Sequence, residues 1–269
     1  RPISTSTTIT TPAQLPKLMI SPGSAHHNSL PSFLEYADRV NLAPSKTVYV
    51  GTHYEYVAAL SLMRLGFSLI RTGKRSDAGI DLIGHWILSP LPEPLPVIVQ
   101  CKAMSRGLSP KHVRELEGAF QGIPAEWRKK EVLGLLVSTN KATKGVLETL
   151  GLNRHPMGFL KVSRSGQVEQ FLWNRSAAER GLEGVGVTIR HTPRIMLLEH
   201  KIEEQGEEGE GWVPGKNVKR NTMRTRKFRD AGTSKDIQLT WMGQPIFPDR
   251  QGLDEETKKL GDEIAGVDD

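Results

Sequence analysis

The sequence predicts an α/β domain in which helices cover both faces of a mixed β-sheet. Helix-like and strand-like segments alternate between about residues 48 and 174. Four prolines, from Pro90 to Pro96, separate two apolar runs and favour a turn between paired strands. The run VLGLLV at residues 132–137 lacks polar side chains, which is typical of a strand buried on both faces.

Helices are predicted where apolar residues recur at helical spacing between a capping residue and a stop signal. Thr52 can cap a helix that stops at Gly66. Val113, Leu116 and Phe120 lie on one face of a later helix. The predicted helices are 33–40, 52–65, a helix opened by Ser109 and Pro110, and 141–150 with Gly151 as its stop.

Strands are predicted from short apolar runs that turn residues bound. The predicted strands are 67–72, 80–88, 97–102, 132–137, 159–162 and 168–173. The second and third strands should pair as a hairpin across the proline cluster. The order of these elements indicates a mixed sheet with helices on both faces.

Composition divides the chain into three parts. Residues 1–45 are expected to form a disordered or targeting-like arm with one short helix, because prolines and hydroxyl residues dominate it. Residues 46–174 are the predicted core. Residues 175–269 are an extension with acidic and basic runs, partly docked on the core and ending in a disordered tail. The fold class is therefore an α/β core with flexible extensions at both ends.

The arm has the composition of an organelle transit sequence. Its first acidic residue is Glu35, and residues 4–11 are almost all Ser or Thr. An ordinary disordered tail is the alternative. The first residue, Arg1, is not a methionine, which indicates a processed or trimmed chain. These features favour a mitochondrial location.

The extension carries an acidic run at 203–210 and a basic run at 216–229. Charge blocks of this kind seldom pack. The basic run would suit phosphate contact without base stacking, and a flexible linker is the competing interpretation. Strand-like character returns at 237–247, where a segment could dock on the core.

The composition restricts the possible chemistry. The formal net charge of +6 suits a polyanionic partner and also fits an ordinary basic protein. The single cysteine, Cys101, excludes an internal disulfide and a multi-cysteine zinc site, so oxygen ligands are favoured for any metal. No apolar run approaches about 18 residues, so we expect no membrane insertion.

Three polar side chains are predicted to converge in the hairpin. Side chains alternate along 97–102, so Gln100 and Lys102 share one face while Cys101 points to the other. Asp81, on the partner strand, can project to the face of Gln100. The Asp81 carboxylate, the Gln100 amide oxygen and the Cys101 main-chain carbonyl form an oxygen pocket suited to Mg²⁺. The Lys102 ammonium can hold an attacking water or stabilise charge on a phosphate.

This order of residues resembles the PD-(D/E)xK restriction-endonuclease-like superfamily, and its Mrr-like branch in particular. The resemblance rests on DAGID at 77–81 and QCK at 100–102, and it extends over about residues 48–163. It implies a restriction-endonuclease-like mixed β-sheet flanked by helices. The chain is also similar to a fungal mitochondrial family required for respiratory growth, whose members carry this nuclease-like core.

The resemblance implies a role for each matched residue. Asp81 would be the central metal ligand and Lys102 the catalytic lysine. Gln100 stands where a carboxylate is usual, which weakens the site for Mg²⁺ or Mn²⁺. Glu55, on the preceding helix, would contribute to the metal site through a water. Gly79 and Ile80 precede Asp81, so the proline-aspartate of the superfamily name is absent.

Each candidate residue has a structural alternative. Asp81 and Lys102 would form a surface ion pair if the hairpin face were simply solvated. Glu55 with Thr52 also fits a helix-capping box, TxxE. Cys101 alternates with core residues and is predicted to be a small buried side chain. Asp77 is predicted to tighten the turn before the strand rather than to bind metal.

The helix after the site offers a weaker set of nucleic-acid contacts: Lys111, His112 and Arg114. These side chains and the helix N-terminus could meet a phosphate backbone, and a solvated helical face is the alternative. His53 and His85 are not at metal-ligand spacing, so they are predicted to be surface or partly buried residues.

The sequence therefore predicts a mitochondrial, Mg²⁺-dependent endodeoxyribonuclease that acts on DNA and serves mitochondrial genome maintenance. Many members of the resembled superfamily act as dimers, so a homodimer is the implied assembly. The rival hypothesis is a non-catalytic nucleic-acid-binding maintenance factor that keeps the fold, which Gln100 favours. A third is a soluble partner of the respiratory machinery that does not bind DNA.

Overall fold

The computed structural model describes residues 26–72, 79–88, 90–193 and 233–246. The predictions for Asp77, for the charge runs between 203 and 229, for most of the N-terminal arm and for the C-terminal tail lie outside these residues. The helices are α1 (Leu30–Arg39), α2 (Thr47–Met63), α3 (Pro110–Ala119), α4 (Lys144–Leu152) and the short α5 (Arg175–Ala177). The strands are β1 (Phe67–Arg71), β2 (Leu82–Trp86), β3 (Leu95–Lys102), β4 (Leu133–Ser138), β5 (Met157–Val162), β6 (Val168–Trp173), β7 (Val185–Pro193), β8 (Thr233–Trp241) and β9 (Gln244–Pro245).

The first six strands form one mixed sheet in the order β1-β2-β3-β4-β5-β6. Strands β1, β2 and β3 pair antiparallel, β4 runs parallel to both β3 and β5, and β6 closes the sheet antiparallel to β5. The predicted mixed sheet and the predicted hairpin of β2 with β3 are confirmed. All six residues of β4 are buried, as its apolar composition predicted.

The two faces of the sheet bury separate apolar clusters. Val97 and Val99 point into the cluster that contains side chains of α2. Ile98, between them, points to the opposite face, where it packs with Val113 and Leu116 of α3. Strand alternation in β3 thus places α2 and α3 on opposite faces, and the prediction of helices on both faces is confirmed.

The position of α2 corrects one expectation from the sequence. The helix begins at Thr47 with Lys46 as N-cap, so Thr52 lies inside it and the proposed capping box with Glu55 is wrong. The ring centroids of Tyr49 on α2 and Phe33 on α1 lie 5.3 Å apart. Because this packing stabilises an earlier turn, the tertiary contact overrides the local capping signal.

Other boundaries also differ from the predicted ones, among them those of α4 and β2. Helix α4 begins at Lys144, where the Thr143 hydroxyl accepts a hydrogen bond from the Val146 amide, and it continues past Gly151. Strand β2 begins at Leu82, so Asp81 precedes the strand rather than lying within it. The helix opened by Ser109 and Pro110 is confirmed as α3.

A second, smaller sheet follows the first. It has the order β7-β8-β9, with antiparallel pairing throughout. Val185 of β7 and both Ile237 and Leu239 of β8 are buried in the same apolar cluster as α2. The large cluster therefore joins residues from both sheets. None of the helices in the described part of the chain has the length and hydropathy needed to span a bilayer.

An aromatic cluster joins α1 to α2. The buried side chains Phe33 and Tyr56 form its centre, and His27 Nδ1 lies 2.8 Å from the Tyr56 hydroxyl. Burial lowers the pKa of His27 from 6.5 to about 4, and the positive charges of Arg71 and His26 add to this effect. The folded protein therefore holds His27 neutral well below the pH at which a free imidazole gains a proton.

His27 is expected to make the stability of the protein depend on pH. Between pH 6.5 and about 4 the unfolded chain binds a proton at His27 while the folded chain does not. The free energy of unfolding should therefore fall as the pH falls through this window. Urea unfolding at several pH values, for wild type and His27→Phe, tests this: the variant should have the shallower pH slope. Equal slopes in the two proteins would contradict it.

Candidate functional site

The candidate site lies where β2 begins and β3 ends. The register pairs Leu82 with Val99, so Asp81, one residue earlier, stands beside the last residues of β3. The Asp81 amide donates to the Val99 carbonyl at 2.9 Å. The Asp81 Oδ2 atom accepts a hydrogen bond from the Cys101 amide at 2.6 Å. The carboxylate is therefore anchored to the backbone of β3.

Gln100, the residue before Cys101 on β3, is buried. It is 4% exposed, and its Oε1 atom is a buried acceptor without a hydrogen-bond partner among the described residues. A Cβ atom placed on Gly79 would come within 3.1 Å of the Gln100 Nε2 atom. Gly79 also has a φ of +82°, a conformation that glycine adopts without strain. The glycine of DAGID thus leaves room for the Gln100 amide.

The Cys101 side chain points away from Gln100, into the cluster of α2, as predicted. Burial raises the pKa of the Cys101 thiol, and the negative charges of Asp81 and Glu55 raise it further, against the opposing charges of Lys102 and Arg71. The thiol is therefore protonated at neutral pH. The amide and carbonyl of a strand residue project to the same neighbour, so the Cys101 carbonyl faces the side of Asp81.

Lys102 shares the face of Gln100 and contacts α3. Its Nζ atom lies 3.1 Å from Glu115 Oε2, and both side chains are about a third exposed or less. Burial tends to raise the pKa of Glu115, but the hydrogen bond and charge of Lys102, with the charges of His112 and Lys111, lower it overall. Glu115 is thus ionised at neutral pH and orients the Lys102 ammonium.

Hydrogen bonds from the neighbouring strand fix the end of β3. The Ser138 hydroxyl, on β4, donates to the Lys102 carbonyl at 3.0 Å. The Asn140 side-chain amide donates to the carbonyls of Met104 and Arg106 at 2.7 and 2.8 Å. The loop that follows Lys102 is therefore held in one place by the loop that follows β4.

Glu55 lies on α2, the helix on the sheet face opposite to that of α3. Its Oε2 atom lies 2.5 Å from Arg71 Nε, and each side chain is 17% exposed. The Arg71 guanidinium also lies 5.4 Å from the centre of the Tyr56 ring. The negative charge of Glu55 is also one of the causes that raise the pKa of the Cys101 thiol. The predicted role of Glu55 at a metal, through a water, stays a prediction.

The three residues of α3 with predicted nucleic-acid contacts differ in their surroundings. Lys111 is 77% exposed and lies 3.6 Å from Glu115. His112 accepts a hydrogen bond from the Ser109 amide at 3.1 Å, which completes the N-cap of α3. Arg114 is exposed. Nucleic-acid contact by these residues stays a prediction, and His112 has a structural role in addition.

The structure brings Asp81, Gln100 and Lys102 to one end of the β2–β3 pair. Two residues that the sequence analysis missed complete the arrangement: Arg71, the partner of Glu55, and Glu115, the partner of Lys102. Lys111 and Glu115 are at the i,i+4 spacing of a helical ion pair. This spacing predicts the contact of Glu115 with Lys111, but not its contact with Lys102. No sequence pattern connects Arg71 to Glu55, because the packing of α2 on β1 creates their contact.

These residues fit a magnesium ion better than a transition metal. No group of three or more His, Cys, Asp and Glu side chains within the described residues could hold a metal. One anchored carboxylate, a buried amide oxygen without a partner and a main-chain carbonyl are hard oxygen donors. Mg²⁺ accepts such a small protein ligand set because it keeps several waters.

Residues 46–94 and 87–189 match the family described as "Required for respiratory growth protein 7". Together these matches cover more than half of the 269 residues. The chain belongs to this family. The description of the family names respiratory growth, in agreement with the predicted link to it, and the relatives are named as mitochondrial proteins, which confirms the predicted mitochondrial location.

Individual relatives agree with the family match. An uncharacterised mitochondrial protein of Schizosaccharomyces pombe is 34% identical over 158 residues, which are 57% of this chain and 62% of that protein. The mitochondrial required for respiratory growth protein 7 of Saccharomyces cerevisiae is 26% identical over 174 residues, 49% of this chain and 72% of the relative. The one from Vanderwaltozyma polyspora is 28% identical over 185 residues, 52% of this chain and 72% of the relative.

The chain spans less than two thirds of the length of the Schizosaccharomyces pombe protein. No solved structure matches the chain.

Proposed function

We propose that the chain is a divalent-metal-dependent nuclease with a restriction-endonuclease-like fold, which hydrolyses phosphodiester bonds of DNA in mitochondria. The observation that carries this proposal is the buried Gln100 Oε1 atom, which lacks a hydrogen-bond partner among the described residues and belongs to the residue before Cys101, whose amide binds the Asp81 carboxylate. A buried acceptor without a partner costs about 1–3 kcal/mol. A cation in this place would remove that cost.

The order of elements supports the fold assignment. Helix α2, the antiparallel strands β1 to β3, helix α3 and the parallel strand β4 follow one another in the mixed sheet. Asp81 directly precedes β2, and Gln100 and Lys102 lie at the end of β3, an arrangement that supports the PD-(D/E)xK resemblance. Both agree with a restriction-endonuclease-like core.

The residues of the site would divide the chemistry of hydrolysis. Asp81, Gln100 Oε1 and the Cys101 carbonyl would hold Mg²⁺ or Mn²⁺. The ion would supply positive charge that neutralises the phosphate and favours ionisation of water. Lys102, oriented by Glu115, would donate hydrogen bonds to the attacking water or to the phosphate oxygens. Glu55, held by its contact with Arg71, would accept a hydrogen bond from a water in the site.

A second function has its own support. Gln100 supplies a neutral ligand where a carboxylate would bind the ion more strongly, and Glu115 already neutralises the Lys102 charge. Both features would suit a non-catalytic nucleic-acid-binding factor that retains a nuclease-like fold. Either function would connect the protein to maintenance of the mitochondrial genome, and hence to respiratory growth.

A cleavage assay separates the two functions. Purified protein is incubated with supercoiled plasmid, linear duplex, single-stranded and forked DNA, in Mg²⁺, in Mn²⁺ and in EDTA. We expect metal-dependent cleavage by the wild type, and a loss of about 10²–10³-fold in each of Asp81→Asn and Lys102→Ala, because each removes charge stabilisation of the reaction. Metal-induced stabilisation against heat should disappear in Asp81→Asn.

Matched controls exclude general damage. Lys161→Ala breaks a Lys161–Glu169 ion pair of similar exposure on β5, and Asp38→Asn changes an exposed carboxylate on α1. Both should cleave like the wild type within a few-fold. Cleavage that persists in Lys102→Ala would refute the assigned site. DNA binding without cleavage, and without Asp81-dependent metal binding, would favour the non-catalytic function.

A further inference from the structure

A small cavity lies beside the N-terminal half of α2. Its volume is about 230 Å³, less than the pockets of about 300–1,000 Å³ that bind drug-sized ligands, so it suits a single ring system. We call it the Tyr49 pocket. Its walls include Pro44, Tyr49, His53, Tyr54, Ala103 and Arg164.

The pocket and the candidate site share the end of β3. Ala103 lines the pocket and directly follows Lys102. Tyr54 lines the pocket as well and precedes Glu55 on α2. Burial raises the pKa of Tyr54, and the negative charge of a Cys101 thiolate would raise it further. A ligand in the pocket would therefore reach the end of β3, at the residue after Lys102.

One wall of the pocket is a stacked pair of rings. Tyr49 and His53, at i,i+4 on α2, have ring centroids 5.8 Å apart and planes inclined by 14°. Both side chains are half-buried, so part of each ring faces the pocket. Phe33 contacts the Tyr49 ring from α1, which holds the stack in place before any ligand binds. A planar ligand can extend this stack without reorganising it.

The stacked wall of the pocket and its opening differ in charge. Burial lowers the pKa of His53, so its imidazole is neutral at neutral pH and does not repel a cation or attract an anion. Arg164, in the turn between β5 and β6, is exposed and supplies a guanidinium to the pocket. A planar apolar surface beside one exposed arginine matches a nucleobase with its attached phosphate.

We propose that the Tyr49 pocket binds one unpaired nucleobase of a single-stranded segment, stacked against Tyr49 and His53, with the neighbouring phosphate on Arg164. This proposal rests on the proposed function, because it assumes a nucleic-acid ligand at the end of β3. It adds that the protein selects single-stranded over fully paired DNA, since a paired base cannot enter so small a cavity without leaving its helix.

The test measures binding in EDTA, so that it does not depend on cleavage. The probes are a fluorescein-labelled single strand of about 12 nucleotides, within the site sizes of single-strand binders, and the blunt duplex of the same sequence. We expect the wild type to bind the single strand more tightly. His53→Ala and Tyr49→Ala should weaken single-strand binding by about 5–150-fold, the equivalent of one lost base stack, and leave duplex binding nearly unchanged.

Two further variants sharpen the test. His53→Phe keeps a flat ring and should retain single-strand binding, which separates stacking from imidazole chemistry. Arg164→Ala should make the plot of log affinity against log salt concentration less steep. The expected change in slope is about the contribution of one phosphate contact. His26→Ala is the matched control, because His26 and Tyr36 form a similar stack, with centroids 5.3 Å apart, that does not line the pocket.

The outcomes distinguish this proposal from the nuclease proposal. His53→Ala that binds the single strand like the wild type would overturn the pocket assignment, and so would a wild type that prefers the duplex. Asp81-dependent cleavage could still occur in either case, and the nuclease proposal would stand. Stack-dependent single-strand binding without any cleavage would support the pocket and favour the non-catalytic function.

Discussion

Replacing Gln100 with Glu is expected to destabilise the metal-free protein and to increase the stabilisation that Mg²⁺ gives it. Gln100 is 4% exposed and directly precedes Cys101, whose amide binds the Asp81 carboxylate. A carboxylate of the same length would add a second negative charge in this buried place. Burial and a like charge both raise the pKa of a carboxyl, and an uncompensated buried charge costs on the order of 3 kcal/mol.

Mg²⁺ should reverse this cost. Two carboxylates that repel each other in the free protein would both be ligands in the complex, and charged oxygens are better ligands for Mg²⁺ than an amide oxygen. We therefore expect the Gln100→Glu variant to bind Mg²⁺ at least about 10-fold more tightly, or about 1.4 kcal/mol in binding free energy. The gain depends on Gln100 Oε1 being a ligand position.

Thermal unfolding with and without Mg²⁺ measures both effects, because a ligand of the folded state raises the unfolding temperature. Gln121→Glu, an exposed change of the same chemistry, is the control and should show no added response to Mg²⁺. An equal Mg²⁺ response in Gln100→Glu and in the wild type would remove Gln100 from the metal site. Tighter Mg²⁺ binding with faster cleavage would support the nuclease, and tighter binding without any cleavage would favour the non-catalytic function.

The sheet could be predicted because its signals are local. The run in β4 is apolar at nearly every position, and the proline cluster before β3 separates two strands that pair antiparallel. The start of α2 could not be predicted in the same way. Thr52 carries the stronger capping signal, whereas the helix begins at Thr47, where Tyr49 packs on Phe33 of another helix. Contacts between distant segments decide such boundaries.

The site was predictable only as far as strand alternation reaches. The period of two in β3 was enough to place Gln100 and Lys102 on one face and Cys101 on the other. The ion pairs of Lys102 with Glu115 and of Glu55 with Arg71 join separate elements. Their formation depends on how α3 and α2 pack on the sheet, which no spacing in the sequence encodes. The backbone anchor of Asp81, likewise, follows from the register of β2 with β3.

Gly84→Ala is expected to destabilise the protein by about 3 kcal/mol or more, because it introduces a clash with backbone. Gly84 lies within β2 and pairs with Leu69 of β1. A Cβ atom on Gly84 would lie 2.0 Å from the Ser68 carbonyl oxygen and 3.0 Å from the Leu69 Cα atom. Neither neighbour is the end of a flexible side chain, so β1 and β2 must move apart.

Gly51→Ala is the matched control for this change. Gly51 lies inside α2, and a Cβ atom there would meet nothing within 4 Å. This substitution should stabilise the protein by about 0.5–1 kcal/mol, because alanine restricts the unfolded chain more than glycine does. Urea unfolding of both variants tests the pair, and a Gly84→Ala variant as stable as the wild type would contradict the tight β1–β2 pairing.

The same pair of variants tests whether β2 positions the metal site. Asp81 is three residues before Gly84, and its carboxylate reaches the Cys101 amide only while β2 keeps its register with β3. Displacement of β2 should therefore reduce Mg²⁺-induced stabilisation in Gly84→Ala, even under conditions where the variant remains folded. Gly51→Ala, which leaves the sheet unchanged, should respond to Mg²⁺ like the wild type. Equal Mg²⁺ responses in all three proteins would mean that the ion does not bind through Asp81.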